Sequence, residues 1–149
     1  MTTPLRYRRV LLKLSGEALL GGRQAGIEQG VIDRLAGEIA DGAGLGAEIA
    51  VVTGGGNFVR GLNFAGKGGS RVAGDHMGML GTVINAIALR EALARKGVPV
   101  RLFSGLPMPT VCETFTQQKA ERALAKGNVV LFAGGTGNPF FTTDTGAAL

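Results

Sequence analysis

The stretch "AEIAVVTGGGNFVRG", Ala47 to Gly61, decides the fold. Its first seven residues, Ala47 to Thr53, are a near-continuous apolar run of strand length, the pattern of a strand buried on both faces of a parallel sheet. Gly54, Gly55 and Gly56 follow at once, and glycines let the backbone turn sharply. In an open parallel sheet such turns lie at the carboxyl edge, where ligands bind. The same grammar recurs on both sides. "RVLLKL" (Arg9 to Leu14) reads as a strand buried on both faces and runs into "KLSGEALLGG"; "NVVLFA" (Asn128 to Ala133) runs into "GGTGNPFF"; "VPVRLFS" (Val98 to Ser104) is a further strand.

Helical patterns fill the intervals. Ile32, Leu35, Ala36, Ile39, Ala40 and Ala43 recur at helical spacing. "DHMGMLGTVINAIALREALARKG" (Asp75 to Gly97) reads as a long helix, with Asp75 placed to cap it and Lys96-Gly97 ending it. It is apolar on more than one face, as in a helix buried against its own fold or another subunit. "TQQKAERALAKG" is a short amphipathic helix. Strands alternating with helices predict an α/β fold, a mostly parallel sheet flanked by helices, with no internal linker or repeat.

Composition narrows the function. At 149 residues, 45% of them hydrophobic, the chain has the length of one domain and can build a core. No uninterrupted apolar stretch approaches the roughly 20 residues of a membrane span, and the basic start "MTTPLRYRRV" precedes no long apolar segment, which predicts a cytoplasmic protein without a membrane partner. The single cysteine, Cys112, has no internal disulfide partner and no companion for a cysteine-based metal site; it reads as a buried thiol. Sixteen basic against 11 acidic residues give a net charge of +5, suited to an anionic partner. With 5% aromatics and no tryptophan, the interleaving expected of a base-stacking nucleic-acid surface is missing. The 26 glycines cluster between apolar runs, so they are positional.

One glycine loop can simply turn the chain. Three on one sheet edge point to a phosphorylated ligand, because glycines bring backbone N–H groups close to an anion and a following helix N-terminus adds positive potential. The standard phosphate motifs do not match. "GLNFAGKG" (Gly61 to Gly68) nearly copies the Walker A pattern, but Gly68 stands where a Ser or Thr would hold Mg²⁺, and no strand immediately precedes it. No GxGxxG follows a strand. The only histidine, His76, reads as structural, so no hydrolytic set is visible.

"KLSGEAL", "GGGNFVRG", "GDHMGMLGTVINAIAL" and "GTGNPFFTTD", in this order, resemble the bacterial UMP kinases of the amino acid kinase superfamily, from Tyr7 to Leu149. The resemblance implies ATP-dependent phosphorylation of UMP to UDP with Mg²⁺, in a homohexamer built from dimers. It also implies that residues 1–149 are the N-terminal, UMP-binding part of such an enzyme. Its ATP-binding C-terminal half then lies outside this chain, so the 149 residues are expected to be inactive alone. Two other readings compete: another kinase of the superfamily, such as acetylglutamate kinase, and a non-catalytic nucleotide-sensing or nucleic-acid-binding module.

The resemblance carries roles residue by residue. Lys13 sits near the end of an apolar strand, where it is either an edge lysine reaching to water or, by the match, the cation on the transferred phosphoryl group. Leu14, Ser15 and Gly16 complete the match on the ATP phosphates. Gly55 and Gly56 match glycines at the junction of UMP and ATP, and Arg60 an arginine on the phosphates, where a guanidinium binds bidentately. Asp75, besides capping, matches an aspartate on the UMP ribose. Thr136, Gly137, Asn138, Pro139, Phe140, Phe141, Thr142 and Thr143 match the loop around uridine. Asp144 is either a helix cap or the aspartate that orients the catalytic lysine. Activation by GTP and inhibition by UTP are implied too, with Arg90 and Arg101 matching GTP-site arginines; Asn128 departs from a third position that is basic in some members. The loop Gly21 to Gly26 varies within the family.

Overall fold

The structure is a computed structural model that describes residues 4–59 and 66–135. Five parallel strands, β1 (Arg9–Leu14), β2 (Glu48–Thr53), β3 (Val100–Ser104), β4 (Glu113–Thr114) and β5 (Val129–Ala133), lie in the order β1-β2-β5-β3-β4. All the paired strands are parallel, and helices make the crossovers except between β3 and β4, which residues 105–112 join without one. Among the described residues the α-helices are α1 (Gln29–Gly44), α2 (Arg71–Arg95) and α3 (Gln117–Ala125), with a 3-10 turn at Gly16–Leu19.

The two faces of the sheet are unequally covered. Alternate residues Ile49, Val51, Leu102, Val129 and Leu131 point to one side and pack with Ile32, Ala36 and Ile39 of α1 and Val83, Ala86, Leu89 and Leu93 of α2. On the other side Ala50, Phe103 and Val130 meet Ala120, Ala123 and Leu124 of α3. α3 is capped by the Thr116 hydroxyl on the Lys119 N–H.

Three sequence expectations change. Among the described residues β1 is an edge strand, and its apolar run is not buried on both faces: Leu11 is 50% exposed. α2 begins four residues before Asp75, capped by Ser70, whose hydroxyl accepts from the Ala73 N–H at 3.0 Å. Asp75 therefore stands inside the helix and does not cap it. β4 is additional to the four expected strands. Although α2 is long and apolar enough to cross a membrane by length and composition, half of its most apolar window is buried within the fold, as in a core helix.

Candidate functional site

The strand order puts the three glycine loops side by side, because β1, β2 and β5 are consecutive neighbours and all run the same way. Lys13 pairs in register with Val52, and Leu14 with Thr53, so the KLSG turn and the Gly54–Asn57 turn leave the sheet together. Lys13 is exposed at the end of β1. Ser15 caps the 3-10 turn, its hydroxyl accepting from the Ala18 N–H at 3.3 Å.

These turns touch main chain to main chain. A Cβ on Gly16 would lie 2.5 Å from the Gly56 nitrogen and 2.6 Å from Asn57 Oδ1, and one on Gly56 would lie 2.6 Å from the Glu17 carboxylate. At Gly16, where the neighbours are main chain, only glycine fits that seam. The second turn is pressed equally hard onto α2: a Cβ on Gly55 would come within 2.4 Å of the Gly78 carbonyl oxygen and 3.0 Å of the Thr82 nitrogen. The Gly54–Asn57 turn lies on the body of α2, around Gly78 to Asn85; the expected helix N-terminus after this loop falls on residues 60–65, outside the described residues.

Buried polar side chains fix the arrangement. Asn57 and Asn85, 2% and 0% exposed, exchange amide hydrogen bonds of 2.9 and 2.8 Å. Asn85 Nδ2 also donates to the Gly54 carbonyl at 2.7 Å, and Asn57 Nδ2 to the Gly26 carbonyl at 2.9 Å. Buried amides must be satisfied in this way or destabilise the fold. Sequence reasoning singled out neither asparagine; the available signal was a polar residue inside the apolar run "TVINAIAL".

The remaining expected residues fall into separate groups. Asp75 lies on the same side of α2 as Gly78 and Thr82, three and seven residues on, and accepts from Arg71 Nε at 2.9 Å. His76 is exposed on α2. Arg90 donates to the Val111 carbonyl at 3.3 Å, whereas Arg101 forks onto Glu113 with one contact of 2.8 Å, from the sheet face that α3 covers. The two arginines thus reach one segment, 111–113, from different elements. The Arg101 guanidinium beside Glu113 holds its carboxyl below the usual carboxylate range, and burial pushes the Cys112 thiol up. Arg60, Thr136, Gly137, Asn138, Pro139, Phe140, Phe141, Thr142, Thr143 and Asp144 lie outside the described residues. Among the described residues no three His, Cys, Asp or Glu side chains are grouped to hold a metal ion.

An exposed apolar stripe completes the surface of α2: Met77, Leu80 and Ile84, at i, i+3 and i+7, are 43%, 47% and 48% exposed.

Residues 8–149 match the model of the amino acid kinase family. The chain is 57% identical over its whole length to a uridylate kinase of Mesorhizobium japonicum and spans 62% of that protein. It is 58% identical over 144 residues, 97% of its length, to a uridylate kinase of Chelativorans sp., spanning 58% of it. A crystal structure of UMP kinase from Bacillus anthracis superposes with a TM-score of 0.89 at 39% identity, over 95% of this chain and 58% of that one. One from Ureaplasma parvum gives 0.86 at 32% identity, over 97% and 61%.

Proposed function

Because the chain belongs to the amino acid kinase family, we propose that it carries the acceptor side of a UMP kinase, which transfers a phosphoryl group from ATP to UMP to give UDP. The observation that carries this is the side-by-side placement of the turns after β1, β2 and β5 with Lys13 at the end of β1. The acceptor is a phosphate oxygen, ionised at neutral pH, so no general base is required. Catalysis then rests on positioning and charge neutralisation. The described residues suit that: main chain without side chains at Gly54, Gly55 and Gly56, and one exposed ammonium at their edge.

The roles named by resemblance belong to this proposal. Lys13 neutralises the moving phosphoryl group, with Leu14, Ser15, Gly16, Gly56 and Arg60 on the ATP phosphates and Asp144 orienting the lysine. Gly55, Asp75 and residues 136–143 hold UMP. Mg²⁺ would arrive on the phosphates of ATP and neutralise their charge. The exposed stripe Met77, Leu80 and Ile84 supports assembly with further copies, a hexamer in the full enzyme. Arg90 and Arg101 would answer to GTP, and UTP would inhibit. A cytoplasmic setting is part of this proposal. Since the chain spans about 60% of its relatives, phosphoryl transfer is assigned to it together with the remaining part found in them, not to the 149 residues alone.

Thermal-shift and calorimetric titration with UMP, uridine, acetylglutamate and a single-stranded oligonucleotide, each at two salt concentrations, test the reading. Stabilisation by UMP above that by uridine is expected, since a ligand of the folded state raises its stability by mass action. Stabilisation by acetylglutamate without UMP would move the chain to another kinase class. Oligonucleotide binding with a steep salt dependence would favour the nucleic-acid module.

A further inference from the structure

Thr82 stands in the middle of α2, 2% exposed and flanked by apolar residues. A buried hydroxyl must find both a place for its proton and a use for its lone pairs. Its Oγ1 donates to the Met79 carbonyl at 2.6 Å, one turn back in the helix. With the proton so committed, the same oxygen accepts the Gly134 N–H at 2.7 Å, a bond that spans 52 residues and is buried. The Thr82 carbonyl in turn accepts from the Thr53 hydroxyl, at 3.1 Å, at the end of β2. A single residue of α2 therefore holds the last residue of β2 and the first residue after β5.

Gly134 is constrained on its other side as well. It adopts φ +77°, and a Cβ there would lie 2.7 Å from Ser104 Oγ and 3.1 Å from the Leu106 nitrogen. The turn after β3 thus leaves no room for a side chain at 134, and the Thr82 hydroxyl receives the Gly134 amide on the side of α2. Meanwhile Asn85, one turn further along α2, holds Gly54 and Asn57.

We propose that Thr82 is a positioning residue that locks the turn after β5 to the turn after β2 through α2, and so sets the spacing between the Gly54–Asn57 turn and the chain that departs from Gly134. The inference rests on the UMP kinase reading for its consequence, since that departing chain contains the residues assigned to uridine, but the lock itself is a statement about Gly134. Thr82 touches no substrate. It acts through the Gly134 amide and the Thr53 hydroxyl.

Amide hydrogen exchange and UMP titration, run on the whole chain and on Thr82→Val and Thr82→Ser, test it. Valine keeps the shape and removes the acceptor; serine keeps the hydroxyl. In the native protein the Gly134 amide is expected to exchange as slowly as its β5 neighbours Val130 and Leu131. In Thr82→Val it should exchange roughly tenfold faster or more, the usual consequence of leaving a buried donor without its acceptor, while Val51 and Leu131 keep their rates. UMP affinity should fall by roughly tenfold in Thr82→Val and recover in Thr82→Ser. Unchanged Gly134 exchange in a folded Thr82→Val would overturn the lock. Faster Gly134 exchange with unaltered UMP affinity would reduce Thr82 to a structural tie and overturn the positioning role. Should Thr82→Val fail to fold, a Gly134 amide that exchanges at the rate of an unprotected peptide in the native chain overturns the proposal by itself. A native chain that ignores UMP would instead sink the functional reading, and the exchange rates would still decide whether Thr82 holds Gly134.

Discussion

Replacing Gly55 by alanine drives one methyl group into the backbone of α2. The new Cβ would lie 2.4 Å from the Gly78 carbonyl oxygen, 3.0 Å from the Thr82 nitrogen and 3.3 Å from the Gly81 carbonyl carbon. An ordinary contact of this kind needs about 1 Å more at the closest atom, and none of the three is the free end of a flexible side chain. All belong to the main chain of one helix that is also fixed to the sheet through Val83, Ala86 and Leu89. The turn must lift off the helix, straining the Asn85 bond to Gly54. Overpacking of this kind costs about 1–3 kcal/mol, and the rigid partners place Gly55→Ala at about 3 kcal/mol. For a chain of this size that is a fall in Tm of roughly 6–12 °C. Gly37→Ala is the matched control. It lies in the interior of α1, where the added Cβ meets only the end of Lys96 at 3.8 Å, and the helix should gain about 0.5–1 kcal/mol. Urea unfolding followed by circular dichroism measures both variants. A Gly55→Ala protein within about 0.5 kcal/mol of wild type, a margin typical of uneventful surface changes, would refute the close approach of turn and helix.

Three further outcomes follow from other contacts. Glu113, whose carboxyl is held below its ordinary value of 4.5 by Arg101, contributes stability above that value and loses it as the pH falls through the lowered one; because the pair is partly exposed, Glu113→Gln should flatten the acid limb of the unfolding profile by no more than about 1 kcal/mol, and an unchanged limb would contradict the pairing. Asp75→Asn, which keeps the side chain's shape, should weaken UMP binding by about 1–3 kcal/mol while leaving the chain folded; unaltered affinity in calorimetry would remove Asp75 from the ligand. Cys112 should react with a thiol reagent far more slowly than a free cysteine at pH 8, because burial raises its pKa and covers the sulfur; rapid labelling of the folded chain would contradict that burial.

The sequence carried the elements well where burial and period agree. Ile32, Ala36 and Ile39 recur at helical spacing because α1 packs one stripe on the sheet, and Val129 to Ala133 read as a strand because neighbours cover both faces. β1 misled because an apolar hexamer has the same letters at an edge as at a centre; only the strand order tells them apart. The start of α2 misled for a local reason. Ser70 and Asp75 are both good capping residues, and the choice falls to Ser70, whose hydroxyl reaches the Ala73 N–H. β4 is two residues long and has no period to read. The positions of the glycine turns and of Lys13 at the end of its strand were legible because a turn after a strand is local. The side chains that hold those turns were not, since Asn57, Thr82 and Asn85 act across separations of 28 to 52 residues.

The dual character of α2 explains why its sequence looks apolar all round yet contains buried polar residues. Its C-terminal half, Ala86 to Leu93, fills the core between α1 and the sheet. Its N-terminal half has a different partner, the main chain of the glycine turns, and main chain demands small residues and hydrogen-bonding groups, which Gly78, Gly81, Thr82 and Asn85 supply. A leucine at any of these positions would bury more apolar area and push the turns away. Under the proposed reading, a phosphoryl-transfer site that works by positioning needs those turns fixed, not merely present. The helix therefore gives up apolar packing at one end to hold two of the turns in register, and its remaining face, with Met77, Leu80 and Ile84, stays exposed.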